Sequence, residues 1–277
     1  MKRIYLFLLS LLFSTTINAQ TPAAPFWSFS PFFTYDAIVD GHINVNDPNF
    51  PEDTISFTQD IGNTIWSNIG GTLNRTFKNN SSLTLTGEYF FISGESKSKR
   101  NIWFNSVLLG SSEGITIDHS RLIRVQALYE KLLSKPESSA RFTFLGGLLY
   151  DFLLVKIDAR ILNDTDAVLL HEDFNDQVIP YPEIGARFEK DLSSHNHLVL
   201  QAAGTYIPRM SRADIKRKIE SFQYYCLNSR FSYQYSSGHF SFGPGITYRF
   251  FRTSEDEGKH DFYISLLGVN ASVTVRF

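Results

Sequence analysis

Residues 261–277, DFYISLLGVNASVTVRF, constrain the fold more than any other stretch of the chain. From Tyr263 onward, alternate positions read Tyr263, Ser265, Leu267, Val269, Ala271, Val273, Val275 and Phe277. The interleaved set closes with Gly268, Asn270, Ser272, Thr274 and Arg276. Successive side chains of a β-strand leave opposite faces of the pleat, so a period of two is a strand with one apolar and one polar face. A helix would scatter both sets around its circumference.

The same pattern recurs along the chain. Trp27, Phe29, Pro31, Phe33, Tyr35, Ala37 and Val39 alternate with Thr34, Asp36 and Asp40. Further segments are predicted over residues 63–77, from Leu83 through Phe91, over 115–132, from Phe142 through Phe152, from Pro182 through Glu189, from Leu198 through Tyr206, from Tyr224 through Tyr235 and over 240–250. With the last stretch they make about ten strands. Their connections alternate between short turns, such as Ser236-Ser237-Gly238, and long polar loops, including an acidic one over 158–177. Aromatic residues are 15% of the chain and gather near the predicted strand ends. Trp27, Phe29, Tyr233, Tyr235 and Phe240 fall at one rim, and Tyr89, Tyr206, Tyr248 and Tyr263 at the other. Such girdles suit the headgroup zones of a bilayer. An unpaired backbone group in hydrocarbon costs several kcal/mol, so a sheet in lipid must close on itself. The expected fold is all-β, a transmembrane antiparallel up-and-down β-barrel of about ten strands. Short turns and both termini are predicted on the periplasmic side, with long loops outside.

A long alternating strand that stops on an aromatic residue resembles the C-terminal closing strand of bacterial outer-membrane β-barrel proteins. That resemblance implies an assembly signal at Val273, Val275 and Phe277, read by the β-barrel assembly machinery. The N-terminus agrees with export. Lys2 and Arg3 precede an apolar run over residues 4–13, and Asn18-Ala19-Gln20 offers a small-residue cleavage site. That run is too short for a spanning helix, which needs roughly 20 apolar residues. The predicted organisation is therefore a signal peptide at 1–19 and one barrel domain at 20–277, located in the outer membrane of a Gram-negative cell.

The polar faces of the strands carry Asp36, Asp40, Glu88, Glu130, Asp151, Glu183 and Glu189 together with Arg124, Arg187, Arg230, Arg249 and Arg276. A barrel of this size has a narrow interior, and charges buried there must pair. These residues are predicted to form a lumen charge network that fixes register and fills the interior. Net charge is −2, which argues against a nucleic-acid partner. Cys226 stands alone, so no intrachain disulfide is possible, and it is predicted to be a small buried residue. No cofactor is implied. The expected partners are outer-membrane lipid and an unidentified solute or extracellular ligand.

Catalytic patterns were weighed against this reading. The chain resembles omptin-like proteases in size and strand count. Those enzymes place an aspartate pair and a His–Asp pair at the outer rim. Here Asp40 with His42, Asp118 with His119, and His171 with Glu172 and Asp173 are the available groups, and none has the family's paired-aspartate spacing. Barrel lipases and deacylases set His and Ser two apart on one face. His119 and Ser120 are adjacent and point oppositely. His195 and His197 lack further ligands for a metal. The sequence thus favours a non-enzymatic outer-membrane barrel with a side-chain-filled polar lumen. The alternatives are a narrow porin-like channel for small solutes and an outer-rim hydrolase, either an omptin-like protease or a lipid-modifying enzyme.

The closing strand yields a direct test. Deleting residues 275–277 should leave an exported chain that fails to reach the outer membrane, measured by membrane fractionation. Normal outer-membrane yield would refute the assembly role of Phe277.

Overall fold

The computed structural model describes residues 26–45, 53–60, 62, 65–77, 80–97, 99–104, 107–110, 114–162, 167–177, 180–210, 222–255 and 260–277. The predicted signal peptide lies outside them. Ten long strands form the wall: β1 (Trp27–Val45), β3 (Ile65–Thr76), β4 (Ser81–Lys97), β7 (Gly114–Leu132), β8 (Ala140–Leu162), β10 (Tyr181–Asp191), β11 (Asn196–Met210), β12 (Phe222–Ser237), β13 (Phe240–Glu255) and β14 (His260–Arg276). Each pairs antiparallel with its neighbours, and β8 pairs with β10 while β14 pairs with β1, so the sheet closes as a ring. Four short or partial strands complete the set: β2 (Ile55–Ser56), β5 (Ile102–Phe104), β6 (Val107–Leu109) and β9 (Ala167–Gln177).

The seam is built as the alternation demanded. Trp27 and Phe277 exchange backbone hydrogen bonds, N–H to carbonyl, at 2.9 Å in each direction. Along the same pair of strands Phe29 faces Val275 and Tyr35 faces Val269. Those four side chains point outward, so the seam shows lipid an apolar surface like the rest of the wall. Val269 is 61% exposed and Ile246 52%, while their neighbours Asn270 and Thr247 are buried. The predicted rim aromatics Trp27, Tyr235 and Phe240 at one end and Tyr206 and Tyr248 at the other are all exposed.

Two departures from the sequence reading have local causes. The acidic stretch over 158–177, expected as a loop, is mostly strand. The upper part of β8 pairs with β9 from Phe152↔Gln177 to Leu162↔Ala167. The lower part of β8 pairs with β10 from Leu149↔Tyr181 to Ala140↔Lys190. Both partners run the same way, so β9 and β10 together form one interrupted staff. Acidic residues mask the period there, although Val168, Leu170 and Phe174 keep it. The second departure is the loop between β4 and β7, which contains the β5–β6 hairpin.

Wall strands of 16–23 residues at β8, β12, β13 and β14 exceed the ~9–11 needed to span a bilayer, so the barrel projects beyond it on the loop side. Placing Arg at lipid-facing Val269 should destabilise the barrel by about 2–4 kcal/mol, whereas Arg at lumen-facing Thr72 should be tolerated better. Urea unfolding from lipid vesicles measures the difference, and equal loss at both positions would refute the face assignment.

Candidate functional site

The interior divides into two halves of opposite character. Toward the periplasmic end the lining is hydroxyl, amide and charge, and it encloses a cavity of about 360 Å³. Strands β1, β3 and β4 contribute Ser28, Thr34, Thr72, Asn74, Thr84 and Thr86. Short polar side chains here leave room that apolar residues would fill. Cross-strand hydrogen bonds such as Thr72–Thr86 at 3.1 Å and Asn74 Nδ2 to Thr84 Oγ1 at 2.6 Å hold that wall.

A charged belt crosses the barrel at the top of this cavity. Arg124 on β7 is 2% exposed and donates from Nε and Nη2 to both carboxylate oxygens of Asp151 on β8, each at 2.7 Å. Its third nitrogen, Nη1, donates to Asn228 Oδ1 across the lumen at 2.7 Å. The Tyr224 hydroxyl donates to Asp151 as well. Opposite, Arg249 on β13 donates to Asp36 on β1 at 2.6 Å, lies 3.7 Å from Glu88, and sits over the Phe90 ring at 5.2 Å. Thr247 adds a hydrogen bond to Asp36 at 3.2 Å. Gly268 on β14 matters here: a Cβ at that position would collide with the Asp36 carboxylate. Glu183 accepts from Gln126 Nε2 at 2.7 Å.

A lower tier lies nearer the periplasmic rim. Glu130 accepts from Ser82, Thr84 and Arg187, the last at 2.7 Å, and Arg187 also approaches Glu189 at 2.9 Å. Arg141, which sequence reasoning did not single out, joins Glu189 and grips Asp191 with two nitrogens at 2.6 and 2.7 Å. His197 bonds Asp191 at 2.7 Å. Arg141 and Asp191 sit at predicted strand ends, where alternation is too short to assign a face.

Of the predicted lumen charges, Asp40 is misplaced. A bulge between Ile38 and Asp40 shifts the register against β14 and reverses which face later residues take. Asp40 is therefore exposed on the outer surface, where the Tyr263 hydroxyl donates to it. The other eleven face the interior, but Arg230 and Arg276 differ from the rest. Arg230 Nη2 donates to Ser272 Oγ at 2.8 Å, and Arg276 Nη2 to Ser241 Oγ at 3.2 Å.

Above the belt the lumen turns apolar. Trp66, Phe90, Leu122, Leu153, Val155, Phe251, Phe262, Ile264 and Leu266 point inward from six strands and are nearly inaccessible. Trp66 packs against Phe90, Phe251 and Phe262 with ring centroids 5.9–6.5 Å apart. Tyr181 stacks on Phe222 and Tyr224 at 6.0 and 5.5 Å. Loop residues close the top. Ile55 and Phe57 from the β2 segment and Ile102 and Leu109 from the β5–β6 hairpin are buried in the same cluster. Gly41 allows this, because an added Cβ would lie 3.2 Å from the Phe57 ring. Arg100 clamps the two loop pieces together, bonding Asp60 at 3.0 Å and the Thr54 carbonyl at 2.7 Å. The Asp60 hydrogen bond raises the Arg100 guanidinium above its ordinary value. Sequence reasoning expected a polar fill throughout and missed this plug, because its members are split among strands and loops far apart in the chain.

The candidate catalytic groups do not converge. His42 Nε2 lies 3.1 Å from Asp261, and Arg252 holds the same carboxylate at 2.9 Å, but this cluster is on the outer surface, since Gly41 and Ile43 turn inward. Ser120 is engaged with the Lys156 backbone at 2.7 Å. The side chains of Asp118, His119, His171, Glu172 and Asp173 lie outside the described residues. His195 stacks on Tyr235 while His197 pairs with Asp191, so the two histidines take separate partners. Among the described residues no group of three or more His, Cys, Asp and Glu is placed to hold a metal.

Comparison with solved structures decides the class. The crystal structure of outer membrane protease OmpT from Escherichia coli aligns with 95% of this chain and 99% of its own, at TM-score 0.51 and 9% identity. This is the fold of a bacterial outer-membrane β-barrel. The outward side chains of that fold form an exposed apolar belt, as a wall facing lipid requires. CymD, a monoaromatic hydrocarbon channel, shares 7% identity over 93% of this chain and 89% of that one, at TM-score 0.36. The toluene transporter TodX of P. putida shares 7% identity over 92% and 90%, at TM-score 0.35. No protein-family model and no curated protein matches the sequence.

Arg124→Met should destabilise the barrel by about 3–5 kcal/mol, because it strands the Asp151 carboxylate in the interior. Adding Asp151→Leu should restore most of that loss. Unfolding midpoints of the two single variants and the double variant make the test, and additive losses would refute the coupling.

Proposed function

We propose that this barrel is a non-enzymatic outer-membrane protein whose lumen is sealed toward the outside and accessible from the periplasm. The observation that carries this reading is the apolar plug. Its aromatic and aliphatic side chains come from strands on every side and are locked by the Arg100 clamp, which favours a fixed seal. Beneath it, the paired belt gives a second barrier, since ions crossing it would have to displace bidentate Arg–carboxylate contacts. Among the described residues the interior keeps a cavity on the periplasmic side, lined down to Arg276 and Ser241 at the rim.

Against a hydrolase, Ser56, which pairs across from His42, turns its hydroxyl to Thr58 and to the Gln59 N–H rather than to the imidazole. The Arg252 partner of the His42–Asp261 pair suits a charged tie between β1, β13 and β14 at the outer rim. Val273, Val275 and Phe277 display the outward face of the closing strand, and we take them as the segment that the assembly machinery reads.

The test is single-channel recording in planar bilayers with the folded full-length barrel, paired with assays on lipid and peptide substrates. The expected result is no conductance above baseline and no turnover. Steady conductance would establish the narrow-channel reading. Turnover lost in His42→Ala would establish the hydrolase.

A further inference from the structure

The cavity wall formed by β12, β13 and β14 holds two arginines, Arg230 and Arg276, that no carboxylate among the described residues contacts at ion-pair distance; Glu88 acts on Arg230 only from farther away, and Arg249 opposes it. Elsewhere in the interior each arginine faces carboxylate: Arg124 meets Asp151, Arg187 meets Glu130, Arg249 meets Asp36 and Arg141 meets Asp191. Among the described residues Arg230 and Arg276 have hydroxyl partners instead, Ser272 and Ser241. The Nε of Arg230 is buried without a hydrogen-bond partner, and so is the nearby Ser232 hydroxyl on the same face of β12.

The local sequence shapes this wall. Arg230 leaves β12 opposite Thr247 on β13 and reaches over that strand to Ser272 on β14. The lumen-facing positions it passes are Gly243 and Gly245. A Cβ at Gly243 would lie 3.2 Å from Ser272 Oγ, and one at Gly245 would lie 2.8 Å from the Ser232 Cβ. Neighbouring groups pack directly against both glycines, which lets Ser272 and Ser232 come close to β13 beside the guanidinium. Arg276 stands at the mouth of the same cavity. A guanidinium that no carboxylate contacts can take its counter-charge from solution, and its forked donors match the geometry of an oxyanion. A volume of about 360 Å³ admits a ligand of several heavy atoms.

We propose that the periplasmic half of the lumen is a binding site for a small oxyanion, phosphate or carboxylate, held at depth by Arg230 with Ser272 and Ser232 and met at the mouth by Arg276. The proposal rests on the reading that the lumen is sealed above and open below.

Isothermal titration calorimetry of the folded full-length barrel tests it, with inorganic phosphate and succinate as separate probes and chloride at matched ionic strength as the control. The expected result is saturable binding of at least one probe and none of chloride. Arg230→Gln should weaken it roughly tenfold or more, since a charge-assisted hydrogen bond is lost. Arg230→Lys should recover part of the affinity. If Arg230→Gln does not fold, judged by heat-modifiable migration on gels, Ser272→Ala and Arg276→Gln carry the test and should each weaken binding. No saturable binding of either probe, or affinity unchanged in every variant that folds, overturns the proposal. A barrel that stays closed in bilayers yet binds neither probe refutes the oxyanion site alone, whereas steady conductance refutes the sealed lumen.

Discussion

Everything in this structure depends on the pairing of β1 with β14. A sheet in hydrocarbon has no solvent to satisfy its edge, and each orphaned backbone group costs several kcal/mol. The reciprocal bonds between Trp27 and Phe277 begin a ladder that continues to Val45 and His260. Once that ladder exists, the inside and outside of every strand are fixed, and each polar side chain on the inner face must find a partner within the ring.

The interior meets that demand in two ways. In the lower part short hydroxyl and amide residues bond across neighbouring strands, and arginines bridge to carboxylates. In the upper part polar groups are replaced by Trp66, Phe90, Phe251, Phe262 and their aliphatic neighbours. The upper inward positions thus form a packed core of the kind that holds a soluble β-protein. Below, a bidentate pair such as Arg124–Asp151 adds geometric definition that apolar contacts lack. The boundary between the two regimes is the belt, and it separates an apolar plug from a polar-lined cavity.

This division gives the barrel a direction. Along the barrel axis the inward lining changes from polar to apolar at the belt. Beneath the belt lies the cavity that Arg230 and Arg276 line together with Glu88, Glu130 and Glu189. The outer surface instead carries tied charges, His42 and Arg252 on Asp261, and a lid whose loops are fastened by Arg100.

The sequence by itself determined the faces. Period two is a local property, so the outward aromatics, the inward charges and the pairing of the first strand with the last were all legible from the chain, down to Val269 outside and Asn270 inside. Tertiary structure decided what a local period cannot hold. One bulge at Ile38 sent Asp40 outward, because a single extra residue inverts a pattern of period two. The partner of each inward charge depends on barrel diameter and strand offset, which bring Arg124 to Asn228 across 104 residues of sequence. The plug was illegible for the same reason: its apolar residues, drawn from Ile55 to Leu266, become neighbours only when the ring has closed around them.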